Sequence, residues 1–168
     1  YLLSTSARTL LAVGAATIAA REFPFGAGFG RYGSSVAATH YSPEYGPLGF
    51  PGYVGMGPPP NGQFLTDTAW PAILGEAGWL GLALFAAGVI HLLVALWRAR
   101  HTVEEKLGRW VLWTALSWFV VMLVESIGAP VFASAPSYPL PFIAAGITIA
   151  ILRTQRADAA PDGAPARD

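Results

Sequence analysis

At 168 residues, 54% hydrophobic and 12% charged, the chain carries about half the charge of an ordinary soluble domain. Its ten basic and ten acidic residues cancel, so a nucleic-acid partner has no electrostatic support. There is no cysteine, which excludes disulfides, thiol catalysis and cysteine metal sites. His40, His91 and His101 show no metal-ligand spacing.

Tyr1, not Met, opens the chain, and no signal-peptide pattern follows it. Further spans are expected upstream. Thr9 to Ala20 is a small or apolar stretch between Arg8 and Arg21, too short to cross a bilayer. Ser4, Thr5 or Ser6 suits the cap of a helix there. Such a helix lies in a membrane interface or ends a span arriving from upstream. Arg21 to Asp67 is rich in Gly, Pro and Tyr and shows no helix or strand period. It reads as a long loop, a length that is usually functional or disordered.

Three apolar runs follow, over about residues 70–97, 110–127 and 138–152. A transmembrane helix needs about 20 such residues; the third run is the shortest and has Pro139 and Pro141 at its start. Arg98, Arg100, Lys106 and Arg109 join the first two runs, and Arg153 and Arg156 follow the third. The positive-inside rule puts both basic segments in the cytoplasm and the residues before Trp70 outside. The expected fold is an all-α, polytopic transmembrane helical bundle with about three spans and a long irregular extracytoplasmic loop. Its expected divisions are an interfacial helix and loop over 1–69, spans over 70–153, and a disordered cytoplasmic tail over 154–168.

The candidate chemistry lies in the outward part. Gly28 to Gly33 is formally G-x-G-x-x-G, but no acidic residue stands at the distance a dinucleotide fold requires. Gly26, Gly28 and Gly30 instead suit a tight turn whose amides approach a ligand or a helix; the bland alternative is a turn with no ligand. Arg8, Arg21 and Arg31 are the basic side chains of this part, and planar guanidinium forks suit phosphate; the bland alternative is interfacial anchoring. Asp67 or Thr68 suits the cap of the first span, with Pro71 in its first turn. Glu76 lies about 13 Å further along that helix, and Glu125 is expected at a similar depth. Ionisable groups at such positions mark functional sites, or else reach the interface. His91 falls toward the opposite side and reads as packed or interfacial. Tyr32, Tyr41, Tyr45, Tyr53, Phe50 and Phe64 offer flat faces for sugars.

Ser6-Ala7-Arg8, then Phe23-Pro24-Phe25-Gly26-Ala27-Gly28-Phe29-Gly30, then Asp67-Thr68-Ala69-Trp70-Pro71 running into Glu76-Ala77-Gly78-Trp79-Leu80-Gly81 together resemble the O-antigen ligase and polysaccharide polymerase family. The resemblance covers about Ser4 to Leu84 and rests on order and spacing rather than on one motif. It matches Arg8 to the family arginine, Gly26, Gly28 and Gly30 to its glycine turn, and Glu76, Gly78 and Gly81 to E-x-G-x-x-G. Asp67 stands where ligases have histidine and Thr68 where Asn is usual, which favours a polymerase; His40 is offset from that position. The resemblance implies a metal-independent, cofactor-free transfer from a polyprenyl-pyrophosphate-linked glycan at the outer face of the cytoplasmic membrane. Membrane lipid and other surface-polysaccharide assembly proteins are the expected partners. By that reading Asp67, Glu76 and Arg8 are catalytic, and Arg31, Arg21, Gly26, Gly28, Gly30 and His40 bind substrate. The rival is a non-catalytic multi-pass protein such as a flippase, transporter subunit or assembly partner.

Overall fold

The computed structural model describes residues 6–132 and 138–158. Over these residues it is all-helical: α1 (Ala7–Arg21), α2 (Ser35–Thr39), α3 (Trp70–Ala99), α4 (Lys106–Glu125) and α5 (Pro139–Asp158), with single 3-10 turns at Pro43–Tyr45 and Phe50–Gly52. Ser4 and Thr5, considered as caps, lie outside the described residues, as does 159–168 of the expected tail. The first part of that tail, through Asp158, continues α5.

α3 and α4 are long and apolar enough to cross a membrane. Only 11% of the apolar window of α3 and 33% of that of α4 is buried within the chain, so these are not core helices wrapped by their own protein. Trp79, Leu84, Ile90, Trp97, Trp110 and Val124 are exposed, and such surface needs an apolar neighbour. The apolar part of α5, Pro139–Gln155, is shorter. Leu96, Leu112, Ala115, Phe119 and Ala145 form a core that joins α3, α4 and α5.

The second core lies in the segment expected to be an irregular loop. Tyr32, Tyr45, Phe50, Met56 and Leu65 are fully buried there, together with Leu11, Ala15 and Ile18 of α1. Tyr45 stacks on Phe50 with ring centroids 5.4 Å apart, and Tyr32 meets Tyr45 edge-on at 5.8 Å. These rings therefore do not offer faces to sugars: they hold the segment together, and a T-shaped or offset pair adds about 0.5–1.5 kcal/mol beyond burial. Their hydroxyls are satisfied, because Tyr32 Oη donates to Leu11 O at 2.7 Å and Tyr45 Oη accepts from Gly33 N at 3.0 Å. The segment is thus compact, and α1 packs on it and on α3.

Neither Asp67 nor Thr68 caps α3, contrary to the sequence expectation. The cap residue is Ala69, with no side-chain hydrogen bond, and Pro71 occupies the first turn as expected. α3 breaks at Gly78, which has φ 67° and ψ −168°. The turn over 24–28 fills that break. A Cβ on Gly78 would overlap Pro24 O and the Gly26 amide, and one on Gly26 would lie 2.7 Å from Gly75 O.

Gly78→Ala is expected to cost at least about 1 kcal/mol, because both its φ and its close approach to the turn forbid a side chain. Gly88→Ala, in open space within the same helix, is expected to leave stability unchanged or raised by up to about 1 kcal/mol. Thermal melting of the two purified variants checks the contrast. Burial also pushes the Tyr45 hydroxyl up to about 12 and raises that of Tyr32. The stability this contributes is full below the unfolded tyrosine value of about 10. It is lost as pH rises from there through about 12. Tyrosinate absorbance followed during alkaline unfolding is expected to show these rings ionising only as the fold is lost.

Candidate functional site

The break in α3 organises the site. In an unbroken helix the Gly75 and Glu76 carbonyls would bond within α3; here they accept from Ala27 N and Gly28 N, each at 2.9 Å. The freed Leu80 N donates to Pro24 O at 3.2 Å. The turn thus supplies the hydrogen bonds that the break removes. Gly26, Gly28 and Gly30 all have positive φ, the conformation that glycine adopts at least cost. Gly75 lies against the Tyr32 ring, where a Cβ would clash.

Glu76 is fixed by this docking. Its Oε1 accepts from Tyr32 N at 3.2 Å and from Ser34 Oγ at 2.6 Å. Ser34 Oγ in turn accepts from Ala37 N at 3.3 Å, the side-chain cap of α2. Glu76 Oε2 takes part in no hydrogen bond among the described residues.

Glu76 lines a cavity of about 520 Å³ between residues 29–35, the first turns of α3 and the segment after α4. Ser34 and Thr68 give it polar atoms; Phe29, Phe85 and Phe132 give it aromatic walls. Glu76 is the only ionisable residue among those lining it. Phe85 and Phe132 meet edge-on at 5.1 Å and both pack on Trp70. The Trp70 indole donates to Ser126 Oγ at 2.8 Å, which ties this wall to the end of α4.

Arg8 and Asp67 meet directly. Arg8 Nε lies 3.1 Å from Asp67 Oδ2, and Arg8 Nη2 donates to Gly128 O at 3.1 Å. One guanidinium therefore joins the start of α1, the approach to α3 and the exit from α4. Both partners are accessible, with side chains 54% and 36% exposed. Neither lines the cavity, although Thr66 and Thr68, on either side of Asp67, do.

Arg21 and Arg31 form a separate cluster. They reach the two oxygens of Glu44 at 2.5 and 2.9 Å, and Arg21 also pairs with Glu22 at 2.8 Å. They share no partner with Arg8. His40 follows α2, is exposed, and its imidazole takes part in no hydrogen bond among the described residues. No group of three His, Asp or Glu side chains that could hold a metal occurs among the described residues.

Glu44, Ser34 and Thr68 were not singled out as site residues from the sequence. Ser42-Pro43-Glu44 carries a signal for a short helical turn, a capping serine followed by proline, and Ser42 does accept from Glu44 N at 3.3 Å. Nothing in that signal announces that two arginines, 23 and 13 residues away, converge on one carboxylate.

The two ion-pair clusters should differ in weight. A double-mutant cycle over Arg8→Ala and Asp67→Ala is expected to give a coupling below about 1 kcal/mol, as for exposed pairs. Glu44→Gln, at a carboxylate whose side chain is 11% exposed, is expected to cost about 1–2 kcal/mol and to speed proteolysis within 21–67. Melting curves and limited digestion measure both. The chain matches no protein-family model, no curated protein and no solved structure.

Proposed function

We propose that this chain belongs to a membrane glycosyltransferase that polymerises or ligates polyprenyl-pyrophosphate-linked oligosaccharides at the outer face of the cytoplasmic membrane, similar to the O-antigen ligase and polymerase family. One observation carries the reading: the Pro24–Gly28 turn and the Glu76–Gly81 stretch are hydrogen-bonded to each other. Two sequence pieces that resemble the family separately thus form one unit, at the same end of α3 as Arg8 and Asp67.

The membrane placement has its own support. Gly78 to Ala99 measures about 33 Å at the helical rise, close to the ~30 Å hydrocarbon core. The broken turn then stands at one interface and the basic link between α3 and α4 at the other. The basic link is cytoplasmic by the positive-inside rule, so the broken turn faces outward. α5 forms a third, shorter span.

In the proposed reaction an acceptor hydroxyl oxygen attacks the anomeric carbon of the donor. The bond from that carbon to the diphosphate oxygen breaks, and the electron pair leaves with the diphosphate. Asp67 takes the hydroxyl proton as general base, with Glu76 as the second candidate. Arg8 exchanges its carboxylate partner for the leaving diphosphate and stabilises the charge that develops there. Arg31 and Arg21 serve the same anion from the neighbouring cluster, and the polyprenyl tail lies along the exposed apolar faces of α3 and α4.

A specific observation favours the rival reading, a non-catalytic multi-pass protein. Each of Arg8, Arg21 and Arg31 already holds a carboxylate of its own chain, which is what a purely structural role requires. Substitution separates the two. Arg8→Ala and Asp67→Asn are each expected to lower polymer formation at least about 100-fold while the protein stays inserted and folded. Polymer of normal length and yield from both variants would establish the rival. Longer chains as product identify a polymerase, and a relocated glycan identifies a ligase.

A further inference from the structure

The cavity beside Glu76 has a chemistry unlike that of the arginine clusters. Its one ionisable lining group is a carboxylate, which repels a phosphate. Arg8, Arg21 and Arg31 are all engaged elsewhere. Thr68 is 3% exposed, lines the cavity, and its Oγ1 is buried with no hydrogen-bond partner among the described residues. A buried hydroxyl of this kind calls for a partner. Glu76 Oε1 is held by Tyr32 and Ser34, so the carboxylate is already oriented and its second oxygen remains to accept. Phe29, Phe85 and Phe132 form the rest of the wall. The volume, about 520 Å³, lies within the roughly 300–1,000 Å³ typical of small-molecule sites.

We propose that this cavity binds the uncharged, hydroxyl-bearing end of a glycolipid, with Glu76 and Thr68 bonding sugar hydroxyls and the phenylalanines packing on C–H faces and adjoining hydrocarbon. Its role as the acceptor side of the glycan transfer rests on the function proposed above; the binding itself does not. The acceptor sugar and the donor diphosphate thereby occupy separate places, one lined by a carboxylate and the other by guanidinium groups.

Trp70 packs on both Phe85 and Phe132, so its fluorescence reports occupancy, and a Trp70→Phe variant identifies its share of the signal. The intact protein in lipid nanodiscs is titrated with n-butyl glucoside, free glucose and n-butyl phosphate. The glucoside is expected to bind saturably and at least about tenfold tighter than either of the others. Thr68→Val is expected to weaken it by about tenfold, the scale of one buried hydrogen bond. Glu76→Gln, whose amide oxygen can still accept from Tyr32 and Ser34, is expected to weaken the glucoside and to narrow its margin over the phosphate. Butyl phosphate binding as tightly as the glucoside overturns the proposal. So does glucoside binding that neither folded variant alters. Glucose binding as tightly as the glucoside overturns the glycolipid assignment in favour of a free sugar. Intact glucoside binding in a protein that forms no polymer sinks the catalytic reading alone and leaves the cavity assignment standing.

Discussion

A helix that breaks away from water must find new partners for its backbone, and the arrangement at Gly78 depends on that constraint. Gly75 and Gly78 are buried. An unpaired peptide group in apolar surroundings costs several kcal/mol. The turn over 24–28 meets the requirement with two amides and one carbonyl. Because it must come within backbone contact, side chains are forbidden at Gly26 and Gly78. Once docked, it sets Tyr32 against Gly75 and brings Ser34 to Glu76. The position of the cavity's one carboxylate thus follows from a backbone problem in α3.

Charge is divided in a way that serves both stability and the proposed chemistry. Arg21 and Arg31 converge on a largely buried Glu44 and tie the start of the 21–67 segment to its middle. The Arg8–Asp67 pair is more exposed and is bound to three parts of the chain. An exposed pair of this kind contributes little to stability, so exchanging its partner for a diphosphate is inexpensive. The more buried pairs hold the scaffold, and the accessible one is where a charged ligand competes best.

Much of the helical plan was legible in the sequence. Long apolar runs gave α3 and α4, the stretch between Arg8 and Arg21 gave α1, and Pro71 marked the first turn of α3. The 21–67 segment was misjudged as irregular because its aromatic residues follow no period. Their burial comes from packing Tyr32, Tyr45 and Phe50 on one another and on α1, contacts between positions remote in sequence. Asp67 had the chemistry of a helix cap, but an arginine 59 residues away offered a charged partner, and the cap position fell to Ala69.

Composition and pattern by themselves determined that this chain is helical, that two of its helices are long and apolar enough to cross a membrane, and that its glycines and arginines cluster ahead of the first. These follow from local periodicity and from residue type. Only the tertiary structure decided which carboxylate each arginine holds, that the glycine turn repairs a broken helix, and that Glu76 shares a cavity with Thr68 and not with a guanidinium. Those outcomes depend on which distant groups come within about 3 Å of each other, and no spacing along the chain encodes that.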